Sequence, residues 1–122
     1  MFVVEIDSSR RLVVISVAGH ATVDEARDTT HQIREVLAEV EPGFVALVDY
    51  RWLDSMATGA AQFIAEIMDL FAAKKVSAVV RVVPDPRKDI GLNILSHFHY
   101  GPEIKVLTFE TLADAVQSLA GA

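Results

Sequence analysis

Ser55 follows Asp54 directly, with Arg51 and Trp52 just upstream and Thr58 just downstream, where a Val- and Leu-rich run gives way to a long amphipathic stretch. A hydroxyl at the start of a helix meets backbone N–H groups that lack intrahelical partners and the positive end of the helix dipole. A phosphate on Ser55, or one carried by a ligand, would be held there electrostatically. The same position also suits an ordinary N-cap, with Asp54 or Ser55 satisfying one orphan N–H at a value of about 1 kcal/mol. Nucleophilic catalysis by Ser55 needs more, namely a base within hydrogen-bond reach and a group that orients the base. No local motif supplies them. His20 and His31 belong to other segments, and His97 and His99 are two apart, so on a helix they point about 200° away from each other and form no His-x-x-x-His metal pair. No catalytic residue, metal site or cofactor is expected.

A second stretch with chemical potential is Val83-Pro84-Asp85-Pro86-Arg87-Lys88-Asp89, in which the two prolines fix φ and restrict their predecessors. Arg51, Trp52, Asp54 and Thr58 of the first stretch and Asp85, Arg87 and Lys88 of the second are the candidate partner- or ligand-binding residues. Both stretches follow strand-like runs, and in an open parallel sheet functional groups gather outside the carboxyl ends of the strands. The two are therefore expected at one end of the molecule.

The elements that must position them are legible from periodicity. Phe2 to Ile6 and Leu12 to Ala18 flank the polar turn Asp7-Ser8-Ser9-Arg10 and read as a hairpin. Thr22 followed by Glu25 is a capping box, and Val23, Ala26, Thr30, Ile33, Leu37 and Val40 then recur at helical spacing as far as Pro42-Gly43. Strands are predicted at Phe44 to Tyr50, Ser77 to Val83 and Ile104 to Phe109, and helices at Met56 to Lys75, Lys88 to His99 and Thr111 to Leu119. In the longest helix Ala60, Phe63, Ile64, Ile67, Leu70 and Phe71 form one apolar stripe, a core face. The order ββαβαβαβα implies an α/β fold with a mainly parallel sheet in sequential order and the first strand antiparallel at its edge.

Composition bounds the function. The 122 residues suit one domain, and 52% hydrophobic with 23% charged residues is the balance of a globular protein. The longest uncharged run, Leu12 to Thr22, is too short for a bilayer span. With no cysteine and no basic segment ahead of the first apolar residues, neither a disulfide framework nor secretion is indicated, and a cytoplasmic setting is expected. A net charge of −6 with only 11 Lys and Arg argues against nucleic acid, whose phosphates demand a basic face.

The element order, together with Val48-Asp49 leading to Leu53-Asp54-Ser55 and a long helix, resembles the STAS domain, the module of anti-sigma-factor antagonists and sulfate transporter tails. The resemblance runs from about Phe2 to Leu119 and is strongest from Phe44 to Phe109. In antagonists of that family the serine after the aspartate is phosphorylated by a partner kinase. The resemblance places this role on Ser55 and implies a protein-binding switch, with an anti-sigma-factor or kinase-like regulator as partner; a homodimer is compatible with it. Two departures stand out. The family pattern Asp-Ser-Ser-Gly or Asp-Ser-x-Gly is met here as Asp54-Ser55-Met56-Ala57, with glycine only at Gly59. The family's Gly-x-x-Asp becomes Gly19-His20-Ala21-Thr22.

The leading expectation is thus a regulatory interaction module, switched by phosphate at the start of the second helix. The alternative is a binder or carrier of an anion, acyl chain or lipid that uses the same edge. Its mark would be a closed apolar pocket between sheet and helices, with Arg51, Arg87 or Lys88 at the mouth.

Overall fold

The Val- and Ile-rich run Leu12–Ala21, buried at every second residue from Val13 to Val17, builds the strand that joins the hairpin to the parallel part of the sheet. In the computed structural model, which describes residues 1–83, 96 and 99–120, β1 (Phe2–Asp7) and β2 (Leu12–Ala21) form the expected hairpin, antiparallel from Phe2↔Val17 to Asp7↔Leu12. β3 (Val45–Met56), β4 (Ala78–Val82) and β5 (Lys105–Phe109) add in parallel, giving the sheet order β1-β2-β3-β4-β5. Helices α1 (Val23–Leu37), α2 (Ala61–Ala73) and α3 (Leu112–Ala120) follow β2, β3 and β5. The helix expected over 88–99 lies outside the described residues, apart from Ser96 and His99, which are helical.

One face of the sheet carries the larger core. Val13, Ile15 and Val17 of β2 and Ala46, Val48 and Tyr50 of β3 meet Ile33 and Leu37 of α1 and Ile64, Ile67 and Phe71 of α2. Phe71 sets its ring edge-on against Phe44 at 5.7 Å. On the opposite face Leu47, Val80 and Val82 pack under Ala115, Leu112 and Leu119 of α3. The predicted stripe of the second helix is core-facing at Ala60, Ile64, Ile67 and Phe71, while Phe63 and Leu70 are only half-buried. Arg81 of β4 is a buried cation in the larger core, donating to Ser96 Oγ at 3.3 Å and Thr108 Oγ1 at 2.8 Å.

The capping box of α1 forms as read: Thr22 Oγ1 accepts from Glu25 N–H at 3.1 Å while the Glu25 carboxylate accepts from Thr22 N–H at 3.3 Å. Four boundaries differ by more than a residue or two from the sequence expectation. α1 ends at Leu37, and Ala38, Glu39 and Val40 close it with turn-type backbone bonds to residues three back. β2 continues through Gly19, His20 and Ala21, so the chain beyond Tyr50 finds a backbone partner and β3 runs on to Met56. The second helix therefore starts at Ala61, after a 3₁₀ turn at Thr58–Ala60, and not at Met56.

That extension of β3 is not straight. Between Ser16↔Asp49 and Ala18↔Trp52 the chain of β3 advances one residue more than β2, and it does so again between Gly19↔Leu53 and His20↔Ser55. Each extra residue is a bulge, and each reverses which side chains face the helices. Tyr50, Leu53 and Met56 consequently all point into the larger core, and Trp52 is turned out. Gly19, at φ +68, supplies the left-handed backbone that β2 adopts between these irregularities.

Candidate functional site

Ser55 sits near the carboxyl end of β3, not at a helix N-terminus. Its backbone pairs with His20, and neither Asp54 nor Ser55 caps α2, whose N-cap is Ala60; neither Ala60 nor the Ala57 before the 3₁₀ turn has a side-chain cap bond. No helix start therefore lies at Ser55, and its hydroxyl meets a side chain instead. His20 Nδ1 lies 2.7 Å from Ser55 Oγ, and both residues are exposed. Ala21 and Met56, the next pair, face the helices, so alternation turns His20 and Ser55 to the opposite face of the sheet.

Trp52 lies 64% exposed on the same face, opposite Ala18. The Arg51 guanidinium is 5.4 Å from its ring centroid, close enough for a cation–π contact. Arg51 is not free to receive an anion by itself. Its Nε and Nη2 donate to both carboxylate oxygens of Asp49 at 2.9 to 3.1 Å, its backbone N–H adds a bond to Oδ1 at 3.0 Å, and the Asp49 side chain is only 8% exposed. Hydrogen bonding to that carboxylate pushes the Arg51 pKa above its ordinary value. Asp54 and Thr58 are exposed beside Ser55, the latter opening the 3₁₀ turn.

The structure thus gathers Arg51, Trp52, Asp54, Ser55 and Thr58 at one end of β3. Asp85, Arg87 and Lys88 lie outside the described residues. The residue that sequence reasoning missed is His20. Its signal was the odd-numbered core positions Val13, Ile15 and Val17, which, continued along the strand, put His20 on the open face; what hid it was the expectation that the strand stops at Ala18.

The apolar pocket that would mark a ligand carrier is not formed by the described residues. The hollow between sheet and helices, lined by Ile15, Val48, Tyr50, Ile64, Phe71 and Tyr100, has a cavity volume of about 20 Å³, and Arg51 does not border it. That is room for about one water, far below the several hundred Å³ of a ligand site. Among the described residues no three His, Cys, Asp or Glu side chains converge as a metal site would require, and no helix is long and apolar enough to cross a membrane.

No family profile matches the sequence, and no curated protein is significantly similar to it. Solved structures do share its fold. A protein of the DUF3478 family with a SpoIIAA-like fold, from Shewanella loihica PV-4, superposes with a TM-score of 0.72 at 18% identity over 98% of this chain and 92% of that one. The anti-sigma factor antagonist SpoIIAA in its unphosphorylated form gives 0.67 at 17% identity over the whole of both chains. SpoIIAA described as a Bacillus cell fate determinant, in its phosphorylated form, gives 0.65 at 16% identity over 98% of this chain and 99% of that one. The chain has the SpoIIAA-like fold, that of the STAS domain. At these identities the likeness speaks for architecture alone.

Proposed function

We propose that this chain is a regulatory protein-interaction module, acting by binding and not by catalysis. In this reading its docking edge is the carboxyl end of β3, and Ser55 is the phosphoacceptor. The observation that carries the reading is that Ser55 and the Trp52 indole are both exposed on one face of the sheet, on a fold shared with an anti-sigma factor antagonist known in unphosphorylated and phosphorylated forms. Trp is the residue type most enriched among binding hot spots, and a phosphate would add about −1.5 to −2 charges and three acceptor oxygens beside it. The partner is an anti-sigma-factor or kinase-like regulator in the cytoplasm. Its kinase activity would transfer the γ-phosphoryl of ATP to Ser55 Oγ, with the hydroxyl proton passing to the kinase's base and ADP leaving.

Ser55→Ala removes one exposed hydrogen bond and should cost about 1 kcal/mol or less of stability. Ser55→Asp adds a carboxylate at an exposed strand position and should leave the fold intact. Immobilised wild type, Ser55→Ala and Ser55→Asp are compared for partner capture from cell extract, with folding verified by circular dichroism. The aspartate variant should retain a different partner or a different amount of it, while the alanine variant behaves as unmodified wild type. Equal capture by all three folded proteins would refute the switch.

A further inference from the structure

We infer that His20 is the positioning residue of this acceptor, holding the Ser55 hydroxyl before modification and ion-pairing with the phosphate after it. The inference rests on the reading of Ser55 as the phosphoacceptor. Its basis is that the contact is built by the sheet. His20 and Ser55 are Cα partners on adjacent parallel strands, on one face, with Nδ1 and Oγ 2.7 Å apart. Neighbouring strands sit about 4.8 Å apart, so a short hydroxyl and a two-torsion imidazole meet without ordering a long side chain.

The chemistry fits both states. A neutral ring with bare Nδ1 accepts the Ser55 O–H, and a protonated ring donates Nδ1–H to the Oγ lone pair. A fully ionised phosphoserine has only acceptors, so it selects a ring that carries Nδ1–H, and with the imidazolium form the bond becomes charge-assisted. Among the described residues, the charged groups around this edge leave that role to His20. On β3, Asp54 repels a phosphate, and Arg51 is already chelated by Asp49. At the start of α1, on the helix-covered side, are Asp24 and Glu25, and the Met1 amino group pairs with Glu25 at 2.7 Å.

The test needs neither kinase nor partner. Phosphoserine is installed at position 55 during translation by stop-codon suppression, and its second ionisation is followed by phosphorus NMR between pH 4 and 8. An unpaired phosphoserine titrates near pH 6; with His20 present the midpoint should fall by about one pH unit. In the phosphorylated His20→Ala variant it should return to the ordinary value. In the unmodified protein, Ser55→Ala should change the nitrogen chemical shift of His20 Nδ1, which a role confined to backbone pairing would not do. The same midpoint with and without His20 would overturn the inference. Because the phosphoserine is installed during translation and not by a kinase, that outcome is separate from a failed partner capture, which bears only on the switch.

Discussion

Leu53 and Trp52 offer a direct test of the bulged register that creates the site. In a straight continuation of β3, alternation from Val48 and Tyr50 would send Trp52 into the larger core and leave Leu53 on the opposite face. The bulges reverse this: Leu53 is 6% exposed and Trp52 is 64% exposed. Leu53→Ala deletes three buried carbons, worth about 2 to 3 kcal/mol in transfer alone, and a cavity term adds to it. The end of a sheet relaxes more readily than its centre, so about 3 kcal/mol is expected, roughly 10 °C in melting temperature for a domain of this size. Trp52→Ala uncovers only the packed third of the indole, roughly 80 Å², which bounds its cost at about 2 kcal/mol. Urea unfolding followed by far-ultraviolet circular dichroism measures both, and avoids fluorescence because Trp52 is the single tryptophan. Amide exchange at residues 52–56 should also quicken in Leu53→Ala. A larger loss from Trp52→Ala than from Leu53→Ala would refute the register and, with it, the pairing of Ser55 with His20.

Two further outcomes follow from local chemistry. Hydrogen bonds from the Met1 amino group and then from Thr22 hold the Glu25 carboxyl at about 2; because the folded value is depressed, the stabilisation is present above the ordinary value of 4.5 and is lost as pH falls from there towards 2, so Glu25→Gln should flatten the acid limb of a stability–pH curve in that window. Lys75, at φ +61, occupies the left-handed position that closes α2, with Lys75 N–H bonded to Ala72 C=O and Val76 N–H to Phe71 C=O, a Schellman motif; Lys75→Gly should raise stability by about 1 kcal/mol in urea unfolding, and a loss would refute the strain.

Most of the fold was legible because its signals are local. The alternation Val13, Ile15, Val17, the capping box at Thr22 and Glu25 and the 3.6-residue stripe of α2 are set within a few residues, and the sequential sheet follows from strands alternating with helices. The site was legible in composition but not in placement. Where β3 ends depends on whether β2 continues alongside it, and a bulge is fixed by pairing between strands some 35 residues apart, as His20 and Ser55 are. No pattern within one strand reports that. The mixed run Arg51-Trp52-Leu53-Asp54-Ser55 looked like a loop because two bulges scramble its alternation.

The two departures from the antagonist pattern take on physical meaning once these residues are placed. A glycine two positions after the serine lets the backbone turn tightly, but here Ala57 is extended, at φ −60 and ψ 142, and its N–H bonds to Ala21 C=O at 2.9 Å, so no left-handed residue is required. Gly59 answers a different need: a Cβ there would come within 3.0 Å of Val23 Cγ2, so it lets the 3₁₀ turn close on the start of α1. Thr22, where the antagonist pattern has aspartate, is the N-cap of α1, a position that threonine and aspartate both fill well. Capping is kept while a negative charge near the end of β2 is dropped, and two residues earlier the same strand presents His20 to Ser55. If Ser55 is the phosphoacceptor, as proposed, the lost carboxylate and the imidazole of His20 both favour an anion there from the β2 side.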